Sequence, residues 1–332
     1  MAADLSTTYL GLKLSSPIVP GASPLADDLD TVRVLEDAGA PCIVLRSLFE
    51  EQLTREQVAT QKHLDQHAAV SPEAQSYLPE PQYTLGPDSY LEQIRKIRAA
   101  VHVPVIGSLN GSTPGGWIEH ARLIEQAGAS ALELNLYTVP TDPKRTAAAL
   151  EAEEIEIVRA VRSSVKIPIA VKLSPQYTAL PAFVRALEGE RVDGVVLFNR
   201  LFQVDIDPET YGLDRTLHLS TSAELPLRLR WTAILSPLTK MSLAVSGGVW
   251  SSLDAVKAIM AGASSVQCVS MLLRDGPRTL RSLTEGVARW LDEHEYTSVT
   301  QLRGCMDRAR CPDPTAYERA NYIYLLTSWH GK

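Results

Sequence analysis

The chain has 332 residues, 45% of them hydrophobic and 21% charged, with a formal net charge of −7. That length buries a large core and allows an α/β barrel as one domain, while the acidic balance and the lack of any Lys/Arg run exclude a general nucleic-acid surface. No apolar stretch approaches the roughly 18 residues that span a bilayer, and the opening MAADLSTTYL lacks the basic and apolar regions of a secretion signal, so a cytoplasmic protein without membrane contact is expected.

One phrase recurs along the chain. EDAGAPCIVLRS (36–47), EQAGASALELNL (125–136) and IMAGASSVQCVS (259–270) each end a helix at Ala-Gly and run into an apolar strand, and RVDGVVLFNR (191–200) is a weaker copy. Glycine just past a helix end is the expected C-cap, and a continuous apolar strand is what a parallel sheet buried on both faces requires. Read in order, strands are expected at 17–23, 41–47, 103–110, 131–136, 168–173, 194–199, 242–245 and 265–269. Amphipathic helices are expected at 28–38, 88–100, 116–127, 146–163, 180–187, 227–235, 253–260 and 279–293. This repetition predicts an α/β fold, a (β/α)8 TIM barrel, in preference to an open doubly wound sheet.

Two long βα insertions interrupt the rhythm, at 49–87 and 201–226. Both follow the C-terminal ends of strands, where they read as walls or lids over a pocket or as oligomer contacts. The barrel is expected to occupy residues 1–296. A C-terminal extension, 297–332, ends in the aromatic-rich YERANYIYLLTSWHGK and covers either the barrel bottom or a partner subunit.

Among the four cysteines, Cys42 and Cys268 fall inside apolar strands and read as small core residues. Cys305 and Cys311, in GCMDRARC, offer two thiols without a second pair or a nearby histidine, so no metal is expected there.

The stretch SLAVSGGVWSSLDAVKAIMAGASSVQCVSML (242–272) is one complete strand, turn, helix and strand. Gly247 and Gly248 let backbone approach a ligand, Ser251 with Asp254 has capping-box spacing, and a helix N-terminus just past a glycine pair favours a phosphate. The alternative is a tight turn that binds nothing.

In a barrel, function collects at strand ends. Those positions hold Ala22, Ser23, Arg46, Ser47, Asn110, Asn135, Lys172, Asn199, Gly247, Gly248 and Ser270. Lys172, ending the apolar run IPIAVKLSP, needs an anion or a polarised ring at the barrel mouth, or an internal salt bridge with Glu133. The amides of Asn110, Asn135 and Asn199 can each donate and accept, which suits a planar ring with alternating C=O and N–H groups. With a phosphate site they describe a flavin pocket.

From TTYLGLKLSSPIVPGAS through SLAVSGGV to SVQCVSMLLRDGP, residues 5–296 resemble the class 1 dihydroorotate dehydrogenases, which are FMN-containing (β/α)8 barrels. The resemblance implies that Ala22 and Ser23 line the flavin ring, that Asn135 contacts it, and that Lys172 sits near its N1 and C2 carbonyl, where a cation stabilises the reduced form. It places Gly247, Gly248 and Ser270 at the FMN phosphate. It also places Thr138 at the position of the catalytic base, since NLYTVP stands where the family has a segment resembling NLSCPN.

The substrate side departs from the pattern. Pro140 replaces a substrate-binding asparagine, Arg46 a lysine, and Arg200 a serine or threonine beside Asn199. No asparagine matches near 76–82, and a flavin-contacting glycine is replaced around 220–222. Arg46, Asn199 and Arg200 are the expected substrate-binding set, in a pocket made more basic.

The function implied is FMN-dependent hydride transfer from dihydroorotate, or a related small anion, to flavin N5, which in the first case belongs to pyrimidine biosynthesis. A flavin-binding electron-transfer subunit of other function, and a barrel that has lost FMN, are the alternatives. The partners implied are a small anionic substrate, a protein electron donor or acceptor, and a second copy in a homodimer. Any iron–sulfur centre would belong to another chain, because no cysteine cluster is present.

Overall fold

The computed structural model describes residues 3–49, 87–111, 113–200 and 204–328. An antiparallel hairpin of β1 (Thr7–Tyr9) and β2 (Leu12–Leu14) comes first. Six strands of the main sheet follow: β3 (Ile18–Pro20), β4 (Ile43–Phe49), β5 (Val105–Asn110), β6 (Ala131–Asn135), β7 (Ile169–Leu173) and β8 (Gly194–Leu197). A second hairpin, β9 (Asp205–Asp207) with β10 (Gly212–Asp214), precedes β11 (Ser242–Ser246) and β12 (Ser265–Cys268).

The eight-stranded parallel sheet has the order β3-β12-β11-β8-β7-β6-β5-β4, and a parallel bridge between Ser23 and Leu45 brings its two edges together. With helices between the strands, from Leu29–Asp37 to Thr279–Glu293 after β12, this is the expected (β/α)8 TIM barrel. Residues 50–86, and so most of the first insertion and the 76–82 segment, lie outside the described residues.

Strand period decides which side chains face which core. On β6, Leu132 and Leu134 pack outward against the helices, whereas Ala131 faces the barrel axis. Val171 and Ala170 divide in the same way on β7, as do Val245 and Ala244 on β11. The small inward residues leave room at the bottom of the barrel, which the first hairpin fills with Tyr9, Leu10 and Leu14, all buried. Gly194 opens β8 because a Cβ there would lie 2.6 Å from Leu10 Cδ2.

The extension is seated on the same end of the barrel. The backbone N–H groups of Gly304, Met306 and Arg308 donate to the carbonyls of Ile259, Met260 and Ala233, each at 2.9 Å. These carbonyls belong to the last turns of the helices Ser252–Ala261 and Leu225–Leu235, where intrahelical donors run out. Buried Asp307 fixes the turn, accepting from Arg310 and from Ser236 Oγ. The last described helix, Ala320–Thr327, instead exposes Tyr322, Ile323, Tyr324, Leu325 and Leu326.

Cys42 and Cys268 are core residues as expected, and both thiols are held protonated. Burial and then Glu133 push Cys42 up, and burial with Asp254 pushes Cys268 up to about 12. Among the described residues no group of His, Cys, Asp and Glu is arranged to hold a metal, and no helix is long and apolar enough to cross a membrane.

Candidate active site

A cavity of about 560 Å³ opens at the C-terminal ends of the strands. Its wall carries Ala22, Ser23, Arg46, Asn135, Lys172, Asn199, Arg200, Gly247 and Ser270, nine of the expected site residues brought together from separate strand ends. Gly248 and Thr138 are not part of that wall.

The floor follows from strand alternation. Glu133, Lys172 and Gln267 continue the inward-facing rows of β6, β7 and β12, and all three are buried. Lys172 Nζ lies 3.2 Å from Glu133 Oε1 and 3.5 Å from Gln267 Oε1, and Gln267 Nε2 donates to Glu133 Oε2 at 2.9 Å. The internal salt bridge is therefore real, and both Glu133 oxygens are engaged. An ammonium has three donors, so with two used on its partners Lys172 retains one for the cavity it lines.

Above the floor runs a chain of amides and hydroxyls. Asn199 Nδ2 donates to Asn135 Oδ1 at 2.8 Å, Asn135 Nδ2 donates to Ser47 Oγ at 3.4 Å, and Ser47 Oγ is 2.7 Å from Ser108 Oγ. Asn135 is paired across the sheet with Lys172. Asn110, the third expected amide, is buried and does not line the cavity, and among the described residues its Nδ2 has no hydrogen-bond partner.

Arg46 and Ser47 are consecutive yet both reach the cavity. The β4–β5 register shifts between Val44 and Ser47, and such a bulge turns two neighbouring side chains toward one face. Arg46 Nε is held 3.0 Å from Asp27 Oδ1. Burial pushes the Asp27 carboxyl up, with Arg46 opposing.

Arg200 lies 3.5 Å from Glu224, which is also 3.5 Å from Arg228. The described wall thus carries three cations, Arg46, Lys172 and Arg200, and no carboxylate or imidazole. The balancing carboxylates of Asp27, Glu133 and Glu224 stand behind it. Such a surface attracts anions.

At the glycine turn the capping box of Ser251 and Asp254 is present in both directions. Gly247 and Gly248 have φ of +90° and +80°, a region that favours glycine. Gly248 packs against a helix start, where a Cβ would sit 2.7 Å from Leu225 N. Its N–H donates to Ser220 Oγ at 3.2 Å, and Ser220 Oγ is 2.7 Å from Ser270 Oγ. Ser220, from the second insertion, therefore ties together two of the expected phosphate-site residues and itself lines the cavity.

Thr138 is exposed and faces a separate cleft of about 380 Å³ with Pro140, Glu151, Glu154 and Tyr177. Its neighbour Tyr137 takes the cavity side. The helix Ala147–Ser164 supplies Glu151 and Glu154 to Thr138's cleft, where Asp142 adds a third carboxylate. Tyr177 OH donates to Glu154 at 2.7 Å, and burial pushes the Glu154 carboxyl up.

Sequence reading missed Gln267, Tyr137 and Arg228, and it marked Ser220 only as part of the 220–222 segment where a flavin-contacting glycine is replaced. The first was legible, because a lone polar residue at an inward position of SVQC must find a partner inside the barrel. The others depend on loop and helix placement that no local pattern encodes.

A family model described as dihydroorotate dehydrogenase matches residues 83–291. A putative dihydroorotate dehydrogenase A (fumarate) of Aeropyrum pernix is 30% identical over 318 residues, spanning 92% of this chain and 98% of the relative. The catalytic subunit of dihydroorotate dehydrogenase B (NAD(+)) of Thermoplasma acidophilum is 27% identical over 313 residues, 91% of this chain and 98% of the relative. The corresponding catalytic subunit of Methanosarcina mazei is 28% identical over 305 residues, 90% of this chain and 94% of the relative. Family model and barrel agree: the chain belongs to the dihydroorotate dehydrogenase family of oxidoreductases.

Proposed function

We propose that this protein is an FMN-dependent oxidoreductase that moves a hydride between a small anionic substrate, dihydroorotate or a related acid, and the flavin. The observation that carries the proposal is the cavity wall, with three cations whose carboxylate partners are set back behind them. Such a wall suits two anionic ligands, a phosphate-bearing cofactor and an acid.

The residues present fit FMN at both of its ends. Gly247 brings bare backbone to the wall, the place of a side chain being taken by the Arg228 guanidinium, and Ser220 and Ser270 present hydroxyls beside it. At the other end Lys172, Asn135 and Asn199 offer an ammonium and two amides to a ring edge of alternating acceptors and donors. When bound, FMN would supply the two-electron acceptor, while the protein supplies binding, orientation and electrostatics.

In this reading Ala22 and Ser23 bound the ring, and Gly247, Gly248 and Ser270 form the phosphate turn. Lys172 holds positive charge at the floor, where Glu133 and Gln267 fix its position. Arg46 and Arg200 bind the substrate's carboxylate, with Asn199 beside them. For the proton that leaves with the hydride, the described wall offers the hydroxyls of Ser47 and Tyr137, and Thr138 stands outside it. That arrangement favours an acid other than dihydroorotate as the second form of this reading. Relatives named as catalytic subunits support a second polypeptide as electron partner.

The test is the visible spectrum of the purified protein under anaerobic conditions, before and after addition of dihydroorotate. Bleaching of a flavin band near roughly 450 nm supports the full proposal. A flavin band unmoved by dihydroorotate but bleached by another small acid supports the cofactor with a different substrate, and a colourless protein that takes up no flavin rejects the proposal.

A further inference from the structure

We infer that a second cavity, at the opposite end of the barrel from the candidate active site, is a seat for a phosphate-type oxyanion that ties the C-terminal extension to the barrel. The inference is independent of the flavin reading above.

This cavity, of about 370 Å³, lies at the start of β11, whose far end, Ser246, lines the active-site cavity. Separate pieces of chain meet around it. The first hairpin brings Thr8, the turns leading into β11 and β12 bring Lys240 and Ser264, and the extension brings Arg303 and Arg310. With Ser242 at the start of β11, the described lining carries three cations and a set of hydroxyls, and no carboxylate or imidazole.

The carboxylates nearby are already engaged. Asp307 accepts from Arg310 Nη2 at 2.9 Å and from Ser236 Oγ at 3.2 Å. Glu188 accepts from the Lys240 N–H at 2.8 Å and from Thr239 Oγ1 at 3.1 Å, and it pairs with Arg185. Neither pairs with Arg303, which is half-buried and whose guanidinium donates, among the described residues, only to Ser264 Oγ at 3.4 Å. The helix ends above it do not answer the charge either, because the carbonyls of Ile259, Met260 and Ala233 accept from the backbone of the extension itself. A guanidinium keeps its proton and carries five donors, so most of its hydrogen-bonding capacity is left to the cavity.

The remaining groups are donors too. Ser242 Oγ accepts from the Leu10 N–H and Ser264 Oγ from Arg303, so both hydroxyls keep their own protons to give. The Lys240 ammonium adds a compact positive charge. Donors reaching one space from the hairpin, from β11 and from the extension suit an anion with acceptors in several directions. A tetrahedral phosphate has them, and a guanidinium fork pairs with two of its oxygens at once. Bound there, it joins Arg303 of the extension to Lys240 and Ser242 of the barrel. The class of ligand is therefore phosphate, free or as the phosphomonoester group of a small metabolite.

The test is calorimetric titration of the full chain with inorganic phosphate and, separately, with glycerol 3-phosphate, at constant ionic strength. Saturable binding is expected, weakened about tenfold or more in Arg303→Gln and reduced in the same direction in Lys240→Gln. Tighter binding of glycerol 3-phosphate supports a phosphorylated metabolite as the source, and equal or weaker binding supports free phosphate. Hydrogen exchange locates the site without any variant: phosphate should slow exchange at the amides of Gly304, Met306 and Arg308, which hold the extension to the barrel. No saturable binding by wild type would overturn the inference. So would binding that survives both Arg303→Gln and Lys240→Gln, or that is lost in Arg200→Gln instead, which would place the anion in the active-site cavity. Should Arg303→Gln not fold, Lys240→Gln and the exchange measurement decide, and unchanged exchange at 304–308 rejects the seat.

Discussion

Lys172 Nζ lies 3.2 Å from Glu133 Oε1 inside the barrel, and both side chains are almost wholly withdrawn from solvent. A buried pair adds little net stability, yet breaking it leaves one charge stranded. Lys172→Ala and Glu133→Gln are each expected to destabilise the fold by about 3–5 kcal/mol in denaturant titrations. The double variant should lose clearly less than the sum, because both single changes remove one interaction. Strictly additive losses would show that Glu133 is satisfied without the lysine.

Thr138 and the cavity point to a second prediction. A general base in contact with substrate contributes typically about 10²–10⁴-fold to rate. Thr138 faces the neighbouring cleft, so Thr138→Val should slow flavin reduction by an acid substrate by less than about tenfold, while Tyr137→Phe is the more damaging change. Stopped-flow reduction of the bound flavin measures both. A Thr138→Val loss in the general-base range would mean that residues 137–146 bring Thr138 over the cavity during the reaction.

The barrel was legible because most of its strand residues are apolar, with several strands introduced by an Ala-Gly helix end, and parallel sheets demand that pattern. The capping box at Ser251 and Asp254 was equally legible, being a matter of spacing. The hairpin β9–β10 was not: its residues DIDPETYGLD are mostly polar and largely exposed, and each strand is too short for its alternation to be read. Arg228 was hidden for a different reason. In LPLRLRWTAIL it alternates with Arg230 as an ordinary surface cation would, and only packing of the helix start against Gly248 turns it inward. Thr138 shows the limit of transferring a position from a family, since alignment places a residue in the chain and the loop decides which cavity it faces.

Glu154 carries a prediction in pH. Burial raises its carboxyl above the usual value, more than the Tyr177 hydroxyl opposes. The folded chain therefore binds this proton where the unfolded chain has released it. The resulting stability is complete below the ordinary carboxylate range and is lost as pH rises through the raised value. Above that raised value the buried carboxylate is unfavourable, so there Glu154→Gln, which keeps an acceptor for Tyr177, should unfold at a higher temperature than the parent, with the gap closing as pH falls into the ordinary carboxylate range. A lower unfolding temperature at neutral pH would show that the Tyr177 bond depends on the carboxylate charge.

The hairpin that fills the barrel bottom separates stability from function. Leu10 is 1% exposed, its N–H donates to Ser242 Oγ at 3.1 Å, and its side chain occupies the space left at Gly194. Leu10→Ala should destabilise the fold by about 2–5 kcal/mol through lost burial and the cavity left behind. The candidate active-site cavity lies at the other end of the strands, with the Glu133, Lys172 and Gln267 layer between. Flavin affinity measured well below the unfolding transition should therefore match the parent. A parallel loss of affinity would show that packing at the bottom is transmitted through that polar layer to Lys172, and would make the first hairpin part of the site.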